Sequence, residues 1–226
     1  MNQEFNLALE LDTSVRAHFL QGEEWLNFCE QGQLSRPLSY AGFEFRLALE
    51  RLAIELLLRI RNGKFESEDQ KYLHKVDNIN NRIREIAGNQ LEIDRKVDFM
   101  NLVMAKARIP FRIAKINLGQ LAKHWHSCSD LCHISWTVVS KDTNFRESAY
   151  QMLVQTHEFL ANTYKSVVTW FDLQEKLFVD LQTAFVSGEI GVDEVEQKLD
   201  ETGVWGLYIA PDGTKQFAHD LKLAEQ

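Results

Sequence analysis

The sequence predicts an all-α protein, an antiparallel helical bundle over residues 1–188 with a small acidic helix plus β-hairpin appendage over 189–226. Three observations carry that prediction. Only three prolines and eleven glycines occur in 226 residues, where average usage would give roughly eleven and sixteen. Long stretches therefore lack residues that fix φ or remove a backbone N–H, which argues against a sandwich or barrel. Apolar residues recur at spacings of three and four along most of the chain, the period of a helix with one buried face. The apolar content of 45% supplies a sizeable core and excludes wholesale disorder.

Taken in order, Asp12-Thr13-Ser14 caps a first helix in which Val15, Phe19, Leu26 and Cys29 share a face. Gly32 to Tyr40, with Arg36-Pro37, reads as a loop. Residues 41–61, AGFEFRLALERLAIELLLRIR, carry the strongest helical signal, rich in Leu, Ala, Glu and Arg, and end at Asn62-Gly63. Ser67-Glu68-Asp69 starts a third helix, with Leu73, Val76, Ile79, Ile83 and Ile86 in phase up to Gly88. A fourth runs from about Leu91 to Arg108, and Pro110 opens a fifth that reaches about His133. Residues 145–186 make one long helix or two consecutive ones. A short acidic helix from Val192 to Gly203 precedes VWGLYIA-PDGT-KQFAHD, a hairpin turning at Pro211-Asp212-Gly213.

The formal net charge of −8 is uneven. Residues 41–130 hold 16 basic and 12 acidic side chains, net +4, whereas the rest is net −12. Binding of nucleic acid over the whole surface is thereby disfavoured, but a local phosphate-binding surface in the centre is not. No charge-free run of 18 apolar residues marks a membrane span, and no basic n-region marks a signal peptide. Three scattered cysteines, Cys29, Cys128 and Cys132, suit free thiols in a reducing compartment, hence a cytoplasmic location.

One segment carries chemistry. No acidic residue lies between Asp98 and Asp130, and the stretch HWHSCSDLCH places His124, His126, Cys128, Cys132 and His133 within ten residues. On a helix over 111–133 the cysteines fall with Leu118, Leu121 and Trp125, nearly opposite His126 and His133. One tetrahedral ion cannot take ligands from both faces, so no metal site is expected and the cysteines read as small core residues. On the same projection Arg112, Lys115, Lys123, His126, Asp130 and His133 fall within about 80°. This is a cationic stripe ending in two histidines with a carboxylate between them. It reads either as a solvated helix face or as machinery for metal-free, cofactor-free RNA cleavage. In the second reading His126, His133 and Asp130 do the proton chemistry, while Arg112, Lys115 and Lys123 hold phosphate.

In the central helix Glu50 lies between Leu47, Ile54 and Leu57 with Arg46 four residues before it and Arg51 beside it. A part-buried carboxylate needs a partner, so an i,i+4 Arg–Glu pair at the core rim is the plainer reading and a catalytic Glu the sharper one.

VRAHFLQGEEWLNFCEQGQLSRPLSY, the following AGFEFRLALERLAIELL and the late helix bearing His126 to His133 together resemble the HEPN superfamily of helical domains over roughly residues 12–136. The resemblance implies a homodimer whose paired helices form a groove for RNA or a nucleotide, and in nuclease members a metal-independent ribonuclease of toxin or defence systems. The nuclease motif is an Arg, four to six residues and a His. Here His133 matches the histidine, and His126 stands where the arginine would be. Imidazole lacks the forked guanidinium, so the resemblance is equally that of an inactive relative kept for partner binding.

Two functions follow. One is an RNA- or nucleotide-directed protein, catalytic or not. The other is a non-catalytic helical interaction protein that dimerises and binds a protein partner through its acidic C-terminal part, where Trp205, Leu207, Tyr208 and Ile209 offer an apolar edge. Membrane-surface binding by Lys106–Lys123 carries less weight, since few large aromatics accompany the charges.

Overall fold

Eight α-helices carry most of the described residues of the computed structural model, in keeping with the helical class. The structure describes residues 14–29, 31, 34–61, 65–109, 112–132, 143–164, 176–202, 205–209 and 215–219. The helices are α1 (Val15–Asn27), α2 (Ser35–Ile60), α3 (Val76–Ala87), α4 (Gln90–Lys106), α5 (Leu118–Cys132), α6 (Thr143–Tyr164), α7 (Lys176–Ser187) and α8 (Val192–Thr202). A 3₁₀ turn, Asp69–Tyr72, precedes α3. Two strands, β1 (Trp205–Ile209) and β2 (Lys215–His219), pair antiparallel with Leu207 opposite Phe217. Among the described residues no helix is long and apolar enough to cross a membrane.

Local chemistry explains where the helices start and stop. Ser14 caps α1 by accepting from the Ala17 N–H at 3.1 Å. α2 begins at Ser35 rather than after a loop ending at Tyr40. Pro37 is compatible with that start, because the first turn of a helix needs no donor at its N–H positions. The third helix begins at Val76, later than expected, the chain at Asp69 winding more tightly first. Gly88 leaves α3 at φ +87°, a left-handed step that glycine takes without a Cβ penalty. Asn89 then opens α4 with a capping box: its side chain accepts from Leu91 and Glu92, while the Glu92 carboxylate accepts from the Asn89 N–H at 2.7 Å.

The helix expected from Pro110 starts only at Leu118. The reason lies in two asparagines. Asn101 accepts from the Ile113 N–H at 2.7 Å and donates to the Ile113 carbonyl at 3.0 Å, occupying groups that a helix would use internally. Asn117 then accepts from the Gln120 N–H at 2.9 Å and caps α5. Within residues 145–186 the described residues form α6 and α7, and the stretch 165–175 that would separate one long helix from two lies outside the described residues.

The chain divides into two compact units. The first comprises Met1–Glu55, Ser67–Asn81 and Ile116–Lys165; the second comprises Leu56–Glu66, Arg82–Lys115 and Ser166–Gln226. In the first, α6 packs on α1 and on α5, around the buried Phe19, Phe45, Leu49, Leu121 and Leu153. Close approach depends on two glycines. The Phe45 ring fills the space a Cβ would need at Gly22, and Leu131 lies 3.2 Å from where one would stand at Gly42. In the second unit, Val97, Met100 and Val103 of α4 pack with Phe178 and Phe185 of α7 and with Val195 and Leu199 of α8. Lys106 pairs with Asp200 at 2.9 Å, and Arg95 donates to the Val186 carbonyl at 3.0 Å near the end of α7.

Asn89→Ala removes the capping box of α4. It should lower the unfolding free energy by about 1 kcal/mol, read as a lower urea midpoint at unchanged slope.

Candidate functional site

α5 presents two chemically distinct faces. Leu118, Leu121, Trp125, Cys128 and Leu131 are buried, as is His124. Lys123, His126 and Asp130 are exposed, and their spacing of three and four puts them on one face. His126 Nε2 lies 2.8 Å from an oxygen of Asp77 in the first turn of α3, with the two side chains 56% and 43% exposed. This pairing gives α5 an imidazole with a carboxylate fixed at one ring nitrogen.

The six residues of the expected stripe do not all share that helix. Arg112 and Lys115 precede α5, so the projection that aligned them with His126 does not apply. Arg112 is exposed, and Lys115 pairs with Asp98 at 2.8 Å within the second unit. His133 lies outside the described residues. Lys123, His126 and Asp130 are thus the part of the stripe that α5 holds together.

The buried face has its own order. His124 Nδ1 is 2.9 Å from the Thr156 hydroxyl, and its ring stacks on Phe159 at 4.8 Å between centroids. Burial, aided by the charge of Lys123, holds His124 below the ordinary imidazole pKa. Burial pushes the Cys128 thiol up to about 12 and raises that of Cys132 as well, though Arg46 opposes the second shift. Neither thiol is therefore a ready thiolate for ligation or attack. Cys29 is likewise pushed up to about 12 by burial. Among the described residues no group of three or more His, Cys, Asp or Glu is arranged to hold a metal ion.

Glu50 and Arg46 do form the i,i+4 pair, Nε to Oε1 at 3.0 Å. The same Glu50 oxygen accepts from the Trp125 indole N–H at 2.9 Å, and the Arg46 guanidinium carbon sits 5.5 Å from the Trp125 ring centroid. The Trp125 ring meets His126 edge-on, with centroids 4.9 Å apart. Asp77 and Trp125 are the site residues that sequence reasoning missed. Asp77 carried a signal only as the acid in the first turn of its own helix, and Trp125 read only as an apolar residue.

No family model matches the chain, and comparisons with curated proteins and with solved structures return no match.

The lowered pKa of His124 has a defined effect on stability. In the unfolded chain its imidazole takes up a proton near pH 6.5, whereas the folded one resists it to lower pH. Across that interval the unfolded state binds more protons, so stability rises with pH. Thermal unfolding should shift to lower temperature as pH falls below about 6.5, and His124→Gln should flatten that part of the profile.

Proposed function

We propose that the exposed face of α5 binds RNA or a nucleotide, and that His126 with Asp77 serves metal-independent cleavage of the phosphodiester. The observation that carries this reading is the 2.8 Å approach of Asp77 to His126 on an exposed face that also bears Lys123. A carboxylate at one ring nitrogen fixes the tautomer and leaves the other nitrogen to exchange a proton with substrate. In the reaction, His126 takes the proton of the 2′-hydroxyl, and that oxygen forms its bond to phosphorus. The 5′-oxygen departs with a proton from the second histidine, His133, leaving a 2′,3′-cyclic phosphate. Lys123 stabilises the charge gathered on the phosphorane. Asp130, one turn beyond His126, orients the second imidazole.

Arg112 and Lys115, expected from the sequence to add phosphate contacts, belong to the second unit, and the described residues of the proposed site are confined to α3 and α5 of the first. The HEPN resemblance supports the same reading and adds a homodimer, with a groove between copies as the RNA path and a toxin or defence system as the setting. The second reading, a helical interaction protein that captures a protein partner, is the one that stands if RNA is not bound.

Single-stranded RNA incubated with the protein in excess EDTA should be cut. His126→Ala and His133→Ala should each lower the rate by about 10²- to 10⁴-fold, and Asp77→Asn by less. Lys123→Ala should weaken RNA binding and reduce its salt dependence, read by fluorescence anisotropy. Native protein that leaves RNA intact, or histidine variants that cut as well as the parent, would end the catalytic reading. Absence of binding would end the RNA reading altogether.

A further inference from the structure

We infer that Arg46, Glu50 and Trp125 form a brace that fixes the ring of His126, making them positioning residues of the α5 site. The inference rests on the proposed role of His126 and adds to it how the imidazole is oriented. A single carboxylate contact does not fix an imidazole plane: Asp77 holds Nε2, and the ring can still turn about that point. His126 is more than half exposed, so packing from solvent supplies no further restraint. Among the described residues a further ring contact comes from the edge-on Trp125, inclined at 74° to the imidazole.

Trp125 can act as a fixed surface because it is itself tied down. Its ring is buried, and its N–H donates to Glu50 Oε1 at 2.9 Å. That oxygen also accepts from Arg46 Nε at 3.0 Å. The Arg46 guanidinium lies beside the same indole ring, so each member of the triangle contacts the other two. Arg46 and Glu50 are only about one third and one quarter exposed. Their charges are consequently less screened than on an open surface, and the charge-assisted contacts resist exchange with water. The chain of contact runs from α2 through Glu50 to the indole and from the indole to His126, all within the first unit. The side chain that carries the proposed chemistry is thereby referred to the core rim and not to a mobile surface.

The test separates the brace from the RNA chemistry. In the full-length protein, nuclear Overhauser contacts between Trp125 ring protons and His126 imidazole protons report the orientation without any substrate. Glu50→Ala should abolish those contacts and shift the Trp125 indole N–H resonance, while Glu50→Gln, which keeps an acceptor oxygen, should retain both. In the cleavage assay Glu50→Ala should lower kcat by about ten- to a hundredfold with KM for RNA within about twofold, and Glu50→Gln should recover most of the loss. If Glu50→Ala does not fold, Trp125→Phe, which keeps a ring but no N–H donor, decides by the same contacts. Ring contacts between residue 125 and His126 that persist unchanged in Glu50→Ala, or in Trp125→Phe where Glu50→Ala does not fold, would overturn the brace. A native protein that cuts no RNA would remove the proposed function and leave the brace to stand or fall by the ring contacts alone.

Discussion

The burial of one face of α5 is the constraint from which the candidate site derives. Leu118, Leu121, Cys128 and Leu131 turn inward, and at 100° per residue this leaves Lys123, His126 and Asp130 no direction but outward. The seat is close: Gly42 of α2 leaves room for Leu131, and any Cβ there would stand within 3.2 Å of it. A helix packed that tightly cannot rotate about its axis to exchange faces. Fixed rotation of α5 therefore sets which groups face water and which face the core. Two histidines two residues apart consequently have opposite chemistries: His124 is desolvated beside Thr156 and Phe159, whereas His126 is exposed beside Asp77.

Polar groups at the edges of this packing do the aligning. Glu50 accepts two hydrogen bonds at one oxygen, from α2 itself and from α5. Asn80, buried on α3, donates to the Leu118 carbonyl at 2.9 Å at the start of α5. Buried and part-buried hydrogen bonds of this kind add modestly to net stability but are costly to leave unmade. Their main effect is on geometry, because an alternative register would strand a donor or a carboxylate. In the second unit Asn101 and Lys106 act similarly, holding residue 113 and α8 to α4.

How much of this was legible in the residues varies with the range of the interaction concerned. Helical periodicity found α1, α2, α4 and α8 with boundaries a few residues off, since amphipathic spacing is a local property. Pro37 misled because proline is as compatible with the first turn of a helix as with a loop. The start of α5 departs from the expected position for a different reason. Ile113 and Ile116 repeat at helical spacing and are buried, but the backbone at residue 113 is claimed by a side chain of α4. No local pattern encodes that bond. The same limit applies to the stripe: the grouping of Lys123, His126 and Asp130 follows from spacing alone, while Arg112 and Lys115 depended on a helix that begins after them.

The sequence by itself determined the helical class, the amphipathic division of α5 and the i,i+4 pairing of Arg46 with Glu50. Each depends on residues within a turn or two of one another, where backbone geometry fixes the outcome. Tertiary structure alone decided that Asp77 meets His126, that Glu50 also serves Trp125, and that Lys115 is drawn to Asp98. Those contacts join residues on separate elements, and their partners are selected by how apolar faces pack. A carboxylate has no spacing rule that points to an imidazole on another helix. Only burial of the helices' apolar faces brings the two within 2.8 Å.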